Sequence, residues 1–341
     1  MKKFIARKKE LAVLNKRYNS DQFEMLILYG SYGLGKTTLV QEFIKDKPSI
    51  VLHLSKDCIF DPYNELTRVV NEYVEKRNQE NECLRNYDDV FKTLAKLSKD
   101  ERVVFVIDEY PYLAYKTPSI ASILQEYIDL VFKETKLFII LVGSDVCFMD
   151  YQVLGYNSPL YGRRTFQMKL KQFDYYDTGL WFPLYTSEEK AYMYALTNGI
   201  PAYLEMFDAS ISFDENIKMN TFVNEIFLKK YVRDGMEEVY KEMCKQYLYN
   251  HIMELPFLMK ECRLNEFNDL VVSSLTSNEE IIGSCKFKNS KVGMEELELM
   301  KEYGNVMKPK SNKYYYFFSK NGFDEAILQQ DVVLISLDDM Y

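Results

Sequence analysis

The sequence predicts an α/β fold: a parallel sheet with crossover helices in the first half, a small helical lid after it, and a smaller α/β unit at the C-terminus. Three observations predict it. Apolar runs at residues 25–29, 49–54, 102–108 and 137–143 alternate with helix-periodic polar segments, the pattern of parallel strands joined by helices. Residues 103–107 and 137–142 are apolar at every position, as strands covered on both faces must be. Finally, Gly30-Ser-Tyr-Gly-Leu-Gly-Lys-Thr37 is an uninterrupted G-x-x-x-x-G-K-[ST] sequence between a strand-like run and a helix-like run. That is the order in which the phosphate loop (P-loop) of a nucleoside triphosphatase is built.

Taken in order, residues 25–29 form the first strand and the loop follows at once. Gly30, Gly33 and Gly35 let the backbone turn its N–H groups toward phosphate oxygens at a helix N-terminus, with Ser31, Tyr32 and Leu34 between them. Lys36 can reach the β- and γ-phosphates, and Thr37 can ligate Mg²⁺. Thr38 opens the helix, in which Leu39, Val40 and Phe43 share a face. The run at 103–107 then delivers two adjacent carboxylates: Asp108 to hold the hydration shell of Mg²⁺, and Glu109 to orient and deprotonate the attacking water. A phosphate loop followed by Asp-Glu favours hydrolysis of ATP over phosphoryl transfer to a small metabolite. The run at 137–142 ends in Gly143-Ser144, where Ser144 reads either as a sensor of the γ-phosphate or as a plain turn serine. Arg163 and Arg164 follow in a turn, as surface charge or as stabilisers of the transferred phosphoryl group. Asn198-Gly-Ile-Pro201 breaks the chain before a helix.

Composition narrows the classes. With 341 residues, 47% hydrophobic and 28% charged, the chain can bury a core for two domains. Its 28 Tyr and 22 Phe against one Trp make that interior bulky. A formal net charge of −8 argues against a uniformly basic, polyanion-coating protein, so nucleic-acid binding has to be argued locally. The cysteines, at 58, 83, 147, 244, 262 and 285, contain no C-x-x-C pair and read as reduced thiols of a cytoplasmic protein. No apolar stretch approaches the ~18 residues of a membrane span. With His53 and His251 alone, histidine triads and multi-histidine metal sites are disfavoured.

Six segments in order carry a resemblance. They are Phe4-Ile-Ala-Arg7-Lys-Lys-Glu10-Leu11, the phosphate loop, Ile107-Asp-Glu109, Val142-Gly-Ser144, Ser158-Pro-Leu-Tyr-Gly-Arg163 and Gly199-Ile-Pro201. Together they resemble the archaeal-type ATPases of the AAA+/STAND group over roughly the first 205 residues. The resemblance implies a P-loop ATPase core at 1–170 and a helical lid with connector at 171–235. It further implies that Arg7 and Glu10 help to build the nucleotide pocket and that Pro201 contacts the base or ribose. Two departures are Ala6, where the family more often has glycine, and 31–34, where it favours arginines; neither removes a phosphate-contacting position.

Members of that family commonly continue into a winged helix and a C-terminal domain similar to restriction-endonuclease-like PD-(D/E)XK nucleases. Residues 205–236 leave no room for a full winged helix. Glu266-Phe-Asn-Asp269-Leu-Val-Val272, Gly283-Ser-Cys-Lys286 and the segment at 317–323 resemble that nuclease domain, placed here at 236–341. Its metal chemistry needs a strand-borne carboxylate plus E-x-K. Asp269 and Lys286 fit, but Ser284 replaces the second carboxylate. Glu280 lies about 13 Å along the strand from Ser284, and Glu295, Glu296 or Glu298 would have to fold back. The domain therefore reads as degenerate, binding DNA or a protein partner. Lys286, Lys288, Lys291, Lys308, Lys310, Lys313 and Lys320 form either a solvated face or a phosphate-binding patch. The overall expectation is a Mg²⁺-dependent ATPase acting as a conformational switch. An ATP-gated nuclease and a non-hydrolysing, oligomeric scaffold are the rivals, with a small-molecule kinase behind them.

Overall fold

Long apolar runs exclude water only when both faces of a strand are covered, and the first sheet is built to do so. In the computed structural model, which describes residues 4–55, 61–77, 84–220, 235–265, 269–307 and 311–341, the chain divides into two compact units, Met1–Lys171 and Gln172–Tyr341. The first contains β1 (Glu24–Tyr29), β2 (Ser49–His53), β3 (Val104–Asp108), β4 (Phe138–Gly143) and β5 (Phe166–Lys169). All are parallel, in the order β2-β3-β4-β1-β5. Every residue of β1, β3 and β4 is buried.

The covering helices are α1 (Lys8–Tyr18), α2 (Lys36–Ile44), α3 (Pro62–Glu75), α4 (Tyr87–Leu97), α5 (Tyr110–Lys116) and α6 (Ile120–Leu130). Their starts follow from local chemistry. Asp61 caps α3 through the Tyr63 N–H with Pro62 at N1, and Asn86 caps α4 through the Asp89 N–H. Leu66, Val70 and Val74 of α3 and Val90, Phe91 and Leu94 of α4 recur at helical spacing and enter the core on Ile50, Phe105 and Ile139. Each such side chain contributes roughly 1.5–3 kcal/mol relative to exposure.

The second unit begins with α7 (Tyr175–Gly179), α8 (Ser187–Thr197), α9 (Pro201–Leu204) and α10 (Phe213–Met219). Capping boxes at Thr186/Glu189 and Ser212/Glu215 start α8 and α10. Next, α11 (Met236–Asn250) covers a second sheet of β6 (Met259–Leu264), β7 (Leu270–Ser274), β8 (Glu279–Lys286), β9 (Asn312–Ser319) and β10 (Val333–Ser336), in the order β10-β9-β8-β7-β6. Pairing is antiparallel from β6 to β8 and parallel from β8 to β10. Helix α12 (Met294–Met307) lays Leu297 and Met300 on Ile282 and Phe317. The fold is thus α/β in both units, with a phosphate-loop type parallel sheet in the first and a mixed sheet of the same strand number in the second.

Within 171–235, expected from sequence as a helical lid with connector, α10 is the last described helix, and 221–234 lie outside the described residues. So do Glu266, Lys308, Lys310, Cys58 and Cys83. Cys244, Cys262 and Cys285 are buried and Cys147 is exposed, all without disulfides. Among the described residues no helix is long and apolar enough to cross a membrane.

Candidate nucleotide site

The phosphate loop, the Asp108-Glu109 pair and Ser144 converge because parallel strands end on the same edge. Where β1 stops, Gly30 donates its N–H to Gly143 O at 3.3 Å, tying the loop to the end of β4. A Cβ at Gly30 would stand 2.5 Å from Leu170 O, so only glycine lets the segment after β5 approach this closely. Gly33 and Gly35 adopt φ of 81° and 78°. These turns carry the chain into α2, whose first turn starts at Lys36. Ser31 and Tyr32 are exposed, Leu34 is buried beneath the loop, and Thr38 lies in the first turn.

Lys36 Nζ folds back and donates to Gly30 O at 2.8 Å and Ser31 O at 2.9 Å. Burial pushes its pKa down, opposed by the nearby charges of Glu109 and Asp108. Thr37 Oγ1 donates to Asp108 Oδ2 at 2.9 Å. The same oxygen faces His53 Nδ1 at 2.9 Å, since β2 and β3 pair in a register that sets His53 opposite Asp108. The other oxygen, Asp108 Oδ1, is buried and has no hydrogen-bond partner. An orphaned carboxylate oxygen beside a threonine hydroxyl is a hard, all-oxygen donor set, and it fits Mg²⁺, which takes one or two protein ligands and keeps its waters.

Glu109 sits at the strand-to-helix turn with φ of 62° and ψ of 50°, left-handed backbone that a residue with a Cβ adopts at a cost of roughly 1–3 kcal/mol. Its carboxylate accepts from the Ser144 N–H at 3.2 Å and from the Ser144 hydroxyl. Ser144 thus meets the acidic pair through Glu109. Arg7, also left-handed at φ of 56°, pairs with Glu10 at 3.0 Å. It donates to Leu34 O at 3.3 Å and to Lys171 O, tying the phosphate loop to the segment beyond β5.

Residues 4–207 match the family described as an ATPase domain predominantly from Archaea. The chain belongs to that family. An uncharacterised protein of Methanocaldococcus jannaschii is 30% identical over 202 residues, 59% of this chain and 43% of that relative. A second is 24% identical over 319 residues, 89% of this chain and 52% of the relative; the chain thus spans about half the length of each. An uncharacterised ATP-binding protein of the same organism is 39% identical over 44 residues, 13% of this chain and 75% of the relative. Among solved structures, a Walker-type ATPase of Pyrococcus abyssi superposes with a TM-score of 0.50 at 20% identity, over 74% of this chain and 77% of that one.

Within this archaeal ATPase domain the expected arginine pair stands elsewhere. Arg163 and Arg164 precede β5, where Thr165 N–H bonds Met25 O at the start of β1, whereas the loop leaves the far end of that strand. About 13 Å of strand separates the two edges, and Arg163 is engaged by Asp129 at 2.6 Å. The arginine pair therefore does not join the phosphate loop of its own chain. Pro201 is buried at N1 of α9 in the second unit, after Asn198 and Gly199 in left-handed conformations.

In that second unit Asp269 is fully engaged. Oδ2 accepts from the Cys285 N–H at 2.7 Å, from Lys286 Nζ at 3.3 Å and from Ser284 Oγ at 3.4 Å, and Oδ1 faces Lys241 Nζ at 3.4 Å. Glu280 is buried and accepts from Ser311 at 3.2 Å. Glu295, Glu296 and Glu298 lie on α12. Among the described residues no group of three or more His, Cys, Asp and Glu is placed to hold a metal ion. Of the lysines, Lys320 is held by Glu188 at 2.6 Å and Asn289 at 2.8 Å, and Lys288 faces Glu237 at 3.9 Å. Lys313 donates to Ser311 O at 3.2 Å, and Lys291 is exposed. His53 was not singled out from sequence; its signal is the place it takes at the end of a strand next to the Asp-Glu strand.

Proposed function

We propose that this chain binds ATP with Mg²⁺ through the phosphate loop, hydrolyses it, and uses the cycle as a conformational switch for its second unit. The observation that carries the reading is the pairing of jobs on adjacent residues. Asp108 keeps a buried, unpartnered oxygen beside Thr37, while Glu109 is turned by strained backbone onto Ser144. Thr37 and Asp108 would hold Mg²⁺, which supplies charge neutralisation between the β- and γ-phosphates. The loop N–H groups bind the phosphates. Lys36, whose two present acceptors are loop carbonyls, turns to the β- and γ-oxygens. Glu109 accepts a proton from the attacking water, with its carboxylate held by Ser144.

Glu109→Gln keeps the shape and removes the base. It should retain the Mg·ATP-induced rise in melting temperature and lower phosphate release by roughly 10²–10⁴-fold. Unchanged turnover in that variant removes Glu109 from the role, and tight ATP binding without turnover in the wild type points to a nucleotide-dependent scaffold instead.

The second unit reads as a binding domain that does not cut nucleic acid, since Asp269 spends its oxygens on two lysines, a serine and a backbone N–H. Plasmid and single-stranded DNA should survive incubation with Mg²⁺ or Mn²⁺, with or without ATP. Cleavage that disappears in Asp269→Ala would establish a nuclease.

A further inference from the structure

The edge of the first sheet remote from the phosphate loop holds a feature that ATP chemistry does not use. A groove of about 620 Å³ opens there between the turns that precede β1, β3, β4 and β5. Lys99, Lys133, Lys136, Arg163 and Arg164 line it, against the carboxylates of Asp21 and Glu134. Asp129 lies alongside and takes Lys133 at 3.0 Å and Arg163 at 2.6 Å, while Asp21 takes Lys136 at 2.7 Å. Lys99 and Arg164 have no ion pair among the described residues. A cationic excess of this kind is unexpected on a chain of net charge −8.

Two of the groove's walls are held in place by one buried arginine. Arg102, only 6% exposed, donates to Gln22 O, to Lys136 O at 3.4 Å and to Arg17 O at 3.0 Å, locking the turns that carry two of the groove's walls. Aromatic rings continue it. The Arg164 guanidinium lies 5.9 Å from the centroid of the Tyr161 ring, and Tyr161 meets Tyr156 edge-on at 5.3 Å. Tyr156 is 82% exposed and Tyr161 44% exposed. Large rings left in water beside unpaired cations are the two components of a single-strand platform: charges that track phosphates and π-faces on which bases stack.

We propose that this groove and its two tyrosines bind single-stranded nucleic acid, with phosphates along Lys99 and Arg164 and bases on Tyr156 and Tyr161. An acidic peptide would use the charges and leave the rings without planar partners. A duplex keeps its base faces stacked inside.

The test is fluorescence anisotropy with a fluorescein-labelled oligo(dT) of about twenty nucleotides, titrated at several salt concentrations. The wild type should bind with an affinity that falls as salt rises, by about 0.7 in the log–log slope per neutralised phosphate. Lys99→Glu and Arg164→Glu should each weaken binding and flatten that slope. Tyr156→Ala and Tyr161→Ala should each cost roughly tenfold at unchanged slope. Circular dichroism melts identical to wild type show that the variants fold, and Lys36→Ala should bind the oligonucleotide normally, separating this site from the nucleotide site. The proposal falls if wild type gives no salt-dependent binding, if these four variants bind like wild type, or if an unlabelled duplex of equal length competes as well as the single strand. It falls equally if Lys99→Glu dissolves a self-associated form while no oligonucleotide binds, which would make the groove a contact between copies of the chain.

Discussion

Ser144 has two bonds to one carboxylate, one from its backbone and one from its hydroxyl, and only the second can be removed by substitution. Ser144→Ala should therefore lower kcat about tenfold with the KM for ATP unchanged, and Ser144→Thr should restore most of it. A loss in KM, or no rescue by threonine, would show that the residue acts on the nucleotide or only on folding. Legibility at this scale depends on distance along the chain. Gly30 to Thr37 and Asp108-Glu109 are contiguous, so their chemistry can be read before any fold is known. His53 reaches Asp108 through strand register, which sequence order does not display. The arginine pair shows the opposite failure: its chemistry suits a phosphoryl group, but the direction of β5 delivers it to the remote edge.

Among elements, burial decided what could be foreseen. Strands β1, β3 and β4 are buried at every position and stand out as unbroken apolar runs. The strands that escaped, β5, β6 and β10, are all sheet edges with mixed side chains, such as Phe-Gln-Met-Lys in β5. The end of α8 was legible for a different reason, since Asn-Gly before Ile-Pro is turn chemistry. Gly199 has φ of 64°, and a Cβ on it would come within 2.1 Å of Phe173 O, whose own N–H is bonded to Gly199 O at 2.8 Å. Gly199→Ala should thus destabilise the second unit by about 2 kcal/mol or more, from left-handed backbone and steric contact together. Thermal melting checks it. A change under about 0.5 kcal/mol would mean that the turn relaxes freely.

For the whole molecule, two sheets divide the labour. The parallel sheet gathers phosphate-loop chemistry at one edge and basic charge at the other. In the second, mixed sheet the carboxylate is neutralised by lysines. The order of the first sheet has a consequence for how the protein is made. Strand β1, which carries the phosphate loop, is bracketed by β4 and β5: Glu24 pairs with Phe138, and Leu26 pairs with Phe166. During synthesis the loop leaves the ribosome before its sheet neighbours, and its strand stays unpartnered while more than a hundred further residues are translated. At about 5–20 residues per second that wait lasts roughly 5–20 s, with Met25, Leu26, Ile27 and Leu28 uncovered. The nucleotide pocket is encoded ahead of the strands that flank it and closes only when the last strand of its sheet arrives, so its apolar strand is exposed to association for the whole of that wait.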